Sequence, residues 1–384
     1  MLRKRYRFRG TVQGVGFRPA ISRIASGLGL DGFVQNRSSE VVAEVRGTEE
    51  AISRFEAALQ TGLPPAARLE RIQAEVVESP AETSEALAES DGFLILESEP
   101  DLYSFPPIPP DLPLCPECAA ELLDPGNRRY LYPFITCTQC GPRYSIVERT
   151  PFDRRNTSMR PFEPCPACAR EYRDPVDRRF HSQTNSCPTC GPRLTLLDGA
   201  GRRLTTDPIP AAMDLLADGG IVAVEGIGGF HLAAVPAQEG AVQRLRRDKE
   251  RERKPFALMV QDLAEATKIC RLSPAEVEAL SSSQAPIVIA ARAPDAPDWL
   301  RAVSDTDTLG IMLPYTPLHL LLFRHPDRPP RYRCLVMTSG NRAREPIITD
   351  PADAVGKLLG VADAFLVHDR RIVLRTDDSI VRVG

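Results

Sequence analysis

Polar and apolar side chains alternate along "RYRFRGTV" near the start of the chain, the period-two spacing of a strand with one buried face. The period then changes. The glycine turn "QGVG" leads into "FRPAISRIASGLGL", whose apolar residues recur at helical spacing to about Leu30. "DGFVQN" and "VVAEVRG" predict two strands around the polar turn "RSSE". "TEEAISRFEAAL" returns to helical spacing, with Thr48 placed to cap it. "RLERIQAEVVE" predicts another strand and "DGFLILES" a last short one. The order β-α-β-β-α-β is the ferredoxin-like split pattern, and residues 1–98 have the length for it.

The proline-dense stretch "SEPDLYSFPPIPPDLPLC" predicts a linker. From about Leu204 onward, apolar β-like runs alternate with helical stretches. The runs include "GIVAVEGIGGFHLA", "FALMV", "APIVIAA", "LGIMLP", "RCLVMTSG", "ADAFLVHD" and "SIVRVG", and "AVQRLRRDKERER" reads as helical. This pattern predicts an α/β domain. The whole is an α+β multidomain chain with expected segments 1–98, 99–200 and 201–384.

The middle segment is a repeat. "CPECAAELLDPGNRRYLYPFITCTQCGPRYSIV" at 115–147 matches "CPACAREYRDPVDRRFHSQTNSCPTCGPRLTLL" at 165–197 at a constant offset of fifty residues. Each copy reads C-x2-C-x18-C-x2-C, with Cys115, Cys118, Cys137 and Cys140 in the first and Cys165, Cys168, Cys187 and Cys190 in the second. Four thiolates suit a tetrahedral zinc ion and leave no open position, so two structural Zn(2+) sites of zinc-ribbon type are expected. Metal binding would supply the folding free energy such small modules lack, on the order of 10–16 kcal/mol per site. Disulfides or redox pairs are the alternative. The ligands could pair within each copy or interleave between copies. Cys270 and Cys334 stand alone.

Composition narrows the function classes. The 384 residues carry a net charge of −3, so no global basic field is aimed at nucleic acid. Between Asp111 and Arg193, twelve arginines face ten carboxylates. Arg128, Arg129, Arg143, Arg178, Arg179 and Arg193 could contact nucleic acid, but near-balance favours a scaffold. No apolar run approaches the ~18 residues of a membrane span, and no apolar core follows the basic "MLRKRYRFRG" to make an export signal. With the paired cysteines, this gives the expectation of a cytoplasmic protein with no membrane partner. Only five lysines occur, which sets apart the close pair Lys249 and Lys254.

Two segments carry candidate chemistry. In "TVQGVGFRPAI", Gly14 and Gly16 allow backbone N–H groups to converge on an anion, the following helix adds its positive end, and Arg18 offers a planar fork to phosphate. A tight structural turn is the alternative. "GTVQGVGFRP" resembles the signature of the acylphosphatase family, and "DGFVQN" its second motif. The resemblance implies that Gly14, Val15, Gly16 and Phe17 cradle phosphate, that Arg18 binds it, and that Asn36 orients the attacking water. In "RLRRDKERERKPF", seven basic residues stand among three acidic ones, without the aromatic interleaving of a single-strand binder. A solvated helix face is the ordinary reading of such a run, and a loop at a triphosphate cleft the other. "VMTSGN" adds a hydroxyl, a glycine and an amide after a strand.

"VAVEGIGGFHLA", "KERERKPFALMV", "LGIMLPYTPLH", "VMTSGN" and "RTDDSIVR" together resemble the YrdC-like carbamoyl-adenylate-forming domain. That implies an ATP and carbamate site of Lys249, Arg251, Lys254, Ser339, Asn341 and Arg375, with Mg(2+)-bound ATP as substrate. His231 lies in one motif, where packing serves as well. The full order of segments resembles the HypF family of hydrogenase maturation carbamoyltransferases. The resemblance implies hydrolysis of carbamoyl phosphate to carbamate, its activation as carbamoyl adenylate, and transfer to the C-terminal cysteine of a HypE-type acceptor. Ala234-Val235-Pro236 and Arg342-Ala343-Arg344 depart from the family pattern. The chain stops at Gly384, directly after the YrdC-like motifs, so a fragment lacking the final transfer domain is expected. The competing expectation is a threonylcarbamoyl-AMP synthase acting in tRNA modification.

Overall fold

In the computed structural model, which describes residues 1–37, 39–77, 92–99, 107–251 and 253–384, the first strand becomes a two-faced ribbon. On one face of β1 (Leu2–Thr11), Tyr6 and Phe8 are buried against Phe17, Ile21 and Phe55. The Phe8 and Phe17 rings meet edge-on with centroids 5.1 Å apart. On the other face Arg3 and Arg5 pair with Glu44, and Arg7 and Arg9 with Glu40. The remaining strands are β2 (Asp31–Arg37), β3 (Glu40–Gly47), β4 (Arg68–Val76) and β5 (Phe93–Ile95). Helices Phe17–Gly27 and Glu49–Ala58 follow β1 and β3. The Thr48 hydroxyl caps the second helix, accepting the Ala51 N–H at 3.2 Å. The sheet runs β4-β1-β3-β2, the ferredoxin-like order, with β5 added parallel to β2.

The described residues group into two compact units. Met1–Asp111 joins Thr136–Asn185 in one, and Leu112–Ile135 joins Ser186–Gly384 in the other. In the first, the buried Arg143 guanidinium donates to the carbonyl oxygens of Gly14, Cys140 and Thr138. One cation thus ties the loop after Cys140 to the glycine turn. The expected linker lies partly outside the described residues, at 100–106.

The second unit carries β6 (Leu194–Asp198), β7 (Val222–Glu225), β8 (Phe230–Ala234), β9 (Ala257–Val260), β10 (Cys270–Arg271), β11 (Ile287–Arg292), β12 (Thr308–Met312), β13 (Cys334–Ser339), β14 (Ala364–His368) and β15 (Ile380–Val381). They form a mixed sheet in the order β10-β11-β12-β9-β13-β8-β7-β14-β6, with β15 paired to β11. β7, β8 and β14 are buried at every position, as their unbroken apolar runs require. "GIVAVEGIGGFHLA" is two strands, because Gly226 N–H bonds Gly229 C=O at 2.9 Å and turns the chain. The charged run is only partly helical: the helix Glu239–Asp248 ends at Lys249, and Glu250 takes a left-handed φ of 49°. Cys270 and Cys334 are buried, and burial pushes both thiols up to about 12, leaving them inert core residues.

Candidate active sites and metal centres

The glycine turn holds its shape only with glycine. Gly14 and Gly16 have φ of 71° and 77°, and a Cβ on Gly14 would stand 3.1 Å from the Phe152 ring. Gly16 is the N-cap of helix Phe17–Gly27 and offers no side-chain acceptor, so no side chain caps the first-turn N–H groups. Val15 and Phe17 are fully buried. They anchor the turn and can give a ligand only their backbone. Arg18 donates to Ser98 Oγ at 3.2 Å and pairs with Asp153 Oδ1 at 3.1 Å. Asn36, buried on β2, donates from Nδ2 to the same Ser98 Oγ at 3.3 Å, and its Oδ1 is buried with no hydrogen-bond partner. Ser98 therefore joins the arginine to the asparagine, and one unspent acceptor remains where a water could be held. A cleft opens beside Arg18, lined by Gly14, Gly16, Arg18, Phe152, His181 and Ser182 among others.

The second site gathers on one ammonium. Lys249 is buried, and Nζ donates to Ser339 O, to Asn341 O at 3.1 Å and to Asn341 Oδ1 at 3.0 Å. Ser339 Oγ donates to Asn341 Oδ1 at 2.8 Å. Burial, aided by the charges of Arg251 and Lys254, pushes Lys249 down to about 7. Arg251 donates to Thr338 Oγ1 at 3.1 Å and lies over the Phe256 ring. Four of the six residues named for ATP and carbamate thus come together. Lys254 and Arg375 are exposed, and Arg375 makes no hydrogen bond or ion pair among the described residues. Its neighbour Thr376 donates from N–H to Gly228 C=O at 3.0 Å, which sets this segment against the "GIGG" turn.

His231, which the motifs left undecided, is more than packing. It pairs with Ser339 in the β8–β13 register and bonds Asp378 from Nε2 at 2.8 Å. Tyr315 OH donates to the other Asp378 oxygen at 3.0 Å. Burial works against the Asp378 carboxylate, but the His231 and Tyr315 contacts outweigh it and hold the group below its usual range. His319, fully buried beside them, is pushed down to about 3 by burial and stays neutral.

The cysteines fall into two clusters, Cys115, Cys118, Cys137 and Cys140, and Cys165, Cys168, Cys187 and Cys190, each with its four sulfurs within 4.8 Å of one another. Pairing is therefore within copies rather than interleaved. Zinc–sulfur bonds of about 2.3 Å in a tetrahedron require S···S edges of about 3.8 Å. The Cys137–Cys140 and Cys187–Cys190 sulfurs stand 3.8 Å apart, so both clusters fit zinc. Repeat-equivalent arginines brace them reciprocally. Arg129 Nε donates to the carbonyl of Ser186, just before Cys187, and Arg179 Nε to that of Thr136, just before Cys137. With Arg143, half of the arginines considered for nucleic acid are buried and spent on backbone carbonyls.

Comparison with known proteins agrees with this anatomy. Residues 4–86 match the acylphosphatase family model, 114–147 and 165–197 the HypF finger, and 214–384 the model described as telomere recombination. Carbamoyltransferase HypF2 of Cupriavidus necator is 47% identical over 99% of this chain and 48% of its own length. An acylphosphatase of Thiobacillus denitrificans is 47% identical over 64 residues, 16% of this chain and 71% of its own. The crystal structure of full-length HypF in the phosphate- and nucleotide-bound form superposes with a TM-score of 0.91 at 42% identity, over 99% of this chain and 48% of that one. The chain spans about half the length of the HypF relatives it matches.

Proposed function

Since the chain belongs to the HypF carbamoyltransferase family, we propose that it carries out the first two steps of carbamoyl transfer. Carbamoyl phosphate binds with its phosphate on the N–H groups around Gly14–Phe17 and on Arg18. Asn36 Oδ1 accepts from a water, whose oxygen attacks phosphorus; the P–O bond to the carbamoyl oxygen breaks, giving phosphate and carbamate. The leaving group is good, so positioning and charge neutralisation are the main tasks. A carbamate oxygen then attacks the α-phosphorus of Mg(2+)-bound ATP at the second site, releasing pyrophosphate and forming carbamoyl adenylate. Lys249, Arg251, Ser339 and Asn341 hold the nucleotide there. Lys254 and Arg375, both exposed, complete this set by reaching bound ATP from the surface. The acceptor is a HypE-type cysteine, and delivery to it belongs to the whole family protein.

The observation that carries this reading is the Arg18–Ser98–Asn36 linkage beside an uncapped helix start, on a chain that also holds the Lys249–Asn341 cluster. Threonylcarbamoyl-AMP synthesis is not favoured, because the match over 99% of the chain is to HypF. The test is mass spectrometry. The chain incubated with carbamoyl phosphate and Mg-ATP should yield carbamoyl adenylate; if threonine is needed for any adenylate to form, the assignment fails. Among the described residues no helix is long and apolar enough to cross a membrane.

We also assign one structural zinc ion to each cysteine cluster. Metal analysis should find two zinc ions per chain, and Cys118→Ser and Cys168→Ser should each lower the content to about one. Each substitution removes one of four charged donors and leaves the remaining thiolates mutually repelling. The Cys168→Ser chain should also lose acyl-phosphate hydrolysis. The Asn185 amide donates to Cys168 C=O at 3.1 Å, and Asn185 C=O in turn accepts from Arg154, the neighbour of Asp153.

A further inference from the structure

We infer that His181 reads the acyl end of the substrate, accepting a hydrogen bond from the carbamoyl NH2 while the phosphate rests on the glycine turn and Arg18. This rests on the acyl-phosphate reading of that site and deepens it.

In-line attack by a water at Asn36 sends the leaving group to the opposite side of phosphorus. The residues that line the cleft with Gly14, Gly16 and Arg18 come largely from the cysteine-module segment, and include Thr138, Phe152, His181, Ser182 and Gln183. Most of their polar groups are spent. Thr138 Oγ1 donates to Arg178 C=O at 3.2 Å, and the Gln183 amide bonds Tyr172 OH, His181 C=O and Arg154 N–H. The His181 ring makes no hydrogen bond among the described residues, and Ser182 Oγ is buried without a partner.

The internal repeat shows that the fold does not need this histidine. At the equivalent position the first copy has Leu131, with φ of 56° against 54° for His181. Leu131 N–H bonds Leu122 C=O at 2.8 Å, and His181 N–H bonds Tyr172 C=O at 2.9 Å, fifty residues on. The same left-handed turn thus forms with either side chain. Next to it, the Tyr132 hydroxyl bonds Pro192 C=O, whereas the hydroxyl of its counterpart Ser182 has no partner among the described residues. The second copy has exchanged two structural side chains for a free imidazole and a free hydroxyl, at the wall of the cleft.

The ring is also held and tuned. It lies 4.6 Å from the Phe180 centroid and 4.8 Å from that of Tyr172. Burial, aided by the Arg18 charge and opposed by Asp153, pushes it down to about 4, so at neutral pH one nitrogen keeps its lone pair. That nitrogen can accept an N–H, which carbamoyl phosphate has and acetyl phosphate lacks. The Ser182 hydroxyl can donate to the acyl oxygen both substrates share.

The test compares phosphate release from carbamoyl phosphate and acetyl phosphate by this chain and by His181→Leu, which installs the first copy's residue. The wild type should prefer carbamoyl phosphate. His181→Leu should lose about tenfold or more in kcat/KM for it, with acetyl phosphate changed by no more than about twofold. His181→Asn, which keeps an acceptor, should retain part of the preference and carries the test if the leucine chain fails to fold. An equal fall for both substrates, or an unchanged ratio, would overturn the inference while leaving the site's assignment intact. No phosphate release by the wild type from either substrate would overturn both.

Discussion

Arg18→Ala is expected to lower phosphate release from carbamoyl phosphate by on the order of 10³-fold, the scale set by removing an arginine from a transferring phosphoryl group. In the proposed reaction the guanidinium is the cation that meets the phosphate; in the structure it bonds Ser98, which in turn accepts from the Asn36 amide. Its loss therefore removes charge neutralisation and loosens the group that orients water. Carbamoyl-phosphate-dependent exchange of pyrophosphate into ATP should vanish with it. The second site is untouched by this substitution, so concentrated ammonium bicarbonate, which supplies carbamate directly, should restore the exchange. If exchange stays absent with carbamate supplied, free carbamate is not the intermediate. Arg18→Lys should recover little, because a point charge replaces a planar fork that now bonds Ser98 and Asp153 at once.

Lys249→Met should give the opposite result. Phosphate release should persist, and adenylate formation should fall by on the order of 10²-fold or more whether carbamate comes from carbamoyl phosphate or from ammonium bicarbonate. The methionine keeps a stem of similar length but removes the ammonium that joins Ser339 O, Asn341 O and Asn341 Oδ1. The three acceptors then lose their shared donor, keeping only Ser339 Oγ on Asn341 Oδ1 and Asn341 N–H on Ser339 O, and the turn proposed to meet ATP loses order. The lysine also sets a pH dependence. Burial, aided by Arg251 and Lys254, pushes it down to about 7, and a bound polyphosphate favours its charged form. ATP binding should therefore take up a proton at pH 8, and affinity should fall by up to about tenfold per pH unit above 7. Calorimetry in two buffers of different ionisation enthalpy measures that uptake; none at pH 8 would mean that Lys249 is already charged in the free protein.

Local chemistry was legible in the sequence wherever one short segment supplies the whole feature. Gly14, Gly16 and Arg18 lie on one turn and one helix start, so spacing alone placed them. Cys115 and Cys165, three residues before Cys118 and Cys168, are the knuckle partners of those cysteines, and the repeat fixed which eight sulfurs mattered. The strands and the Thr48 cap followed from period and from one hydroxyl. Membership in a motif did not place side chains as well. Lys249 and Asn341 converge, whereas Lys254 and Arg375, from equally specific motifs, are exposed. A motif fixes the order of residues along a strand or loop, and burial of that strand then decides which of them meet.

The sequence by itself therefore determined the fold class and which eight cysteines cluster. Both depend on local periodicity or on a spacing that recurs in the chain, whereas Arg18 and Asn36 were named through a family resemblance. Only the tertiary structure decided that the cysteines pair within each copy, that Ser98 and Asp153 engage Arg18, that Asp378 holds His231, and that His181 stands at the wall of the phosphate cleft. Those partners are separated by tens to more than a hundred residues. No period or local spacing records such contacts, because they arise when distant segments are packed to bury their apolar faces and satisfy their polar groups.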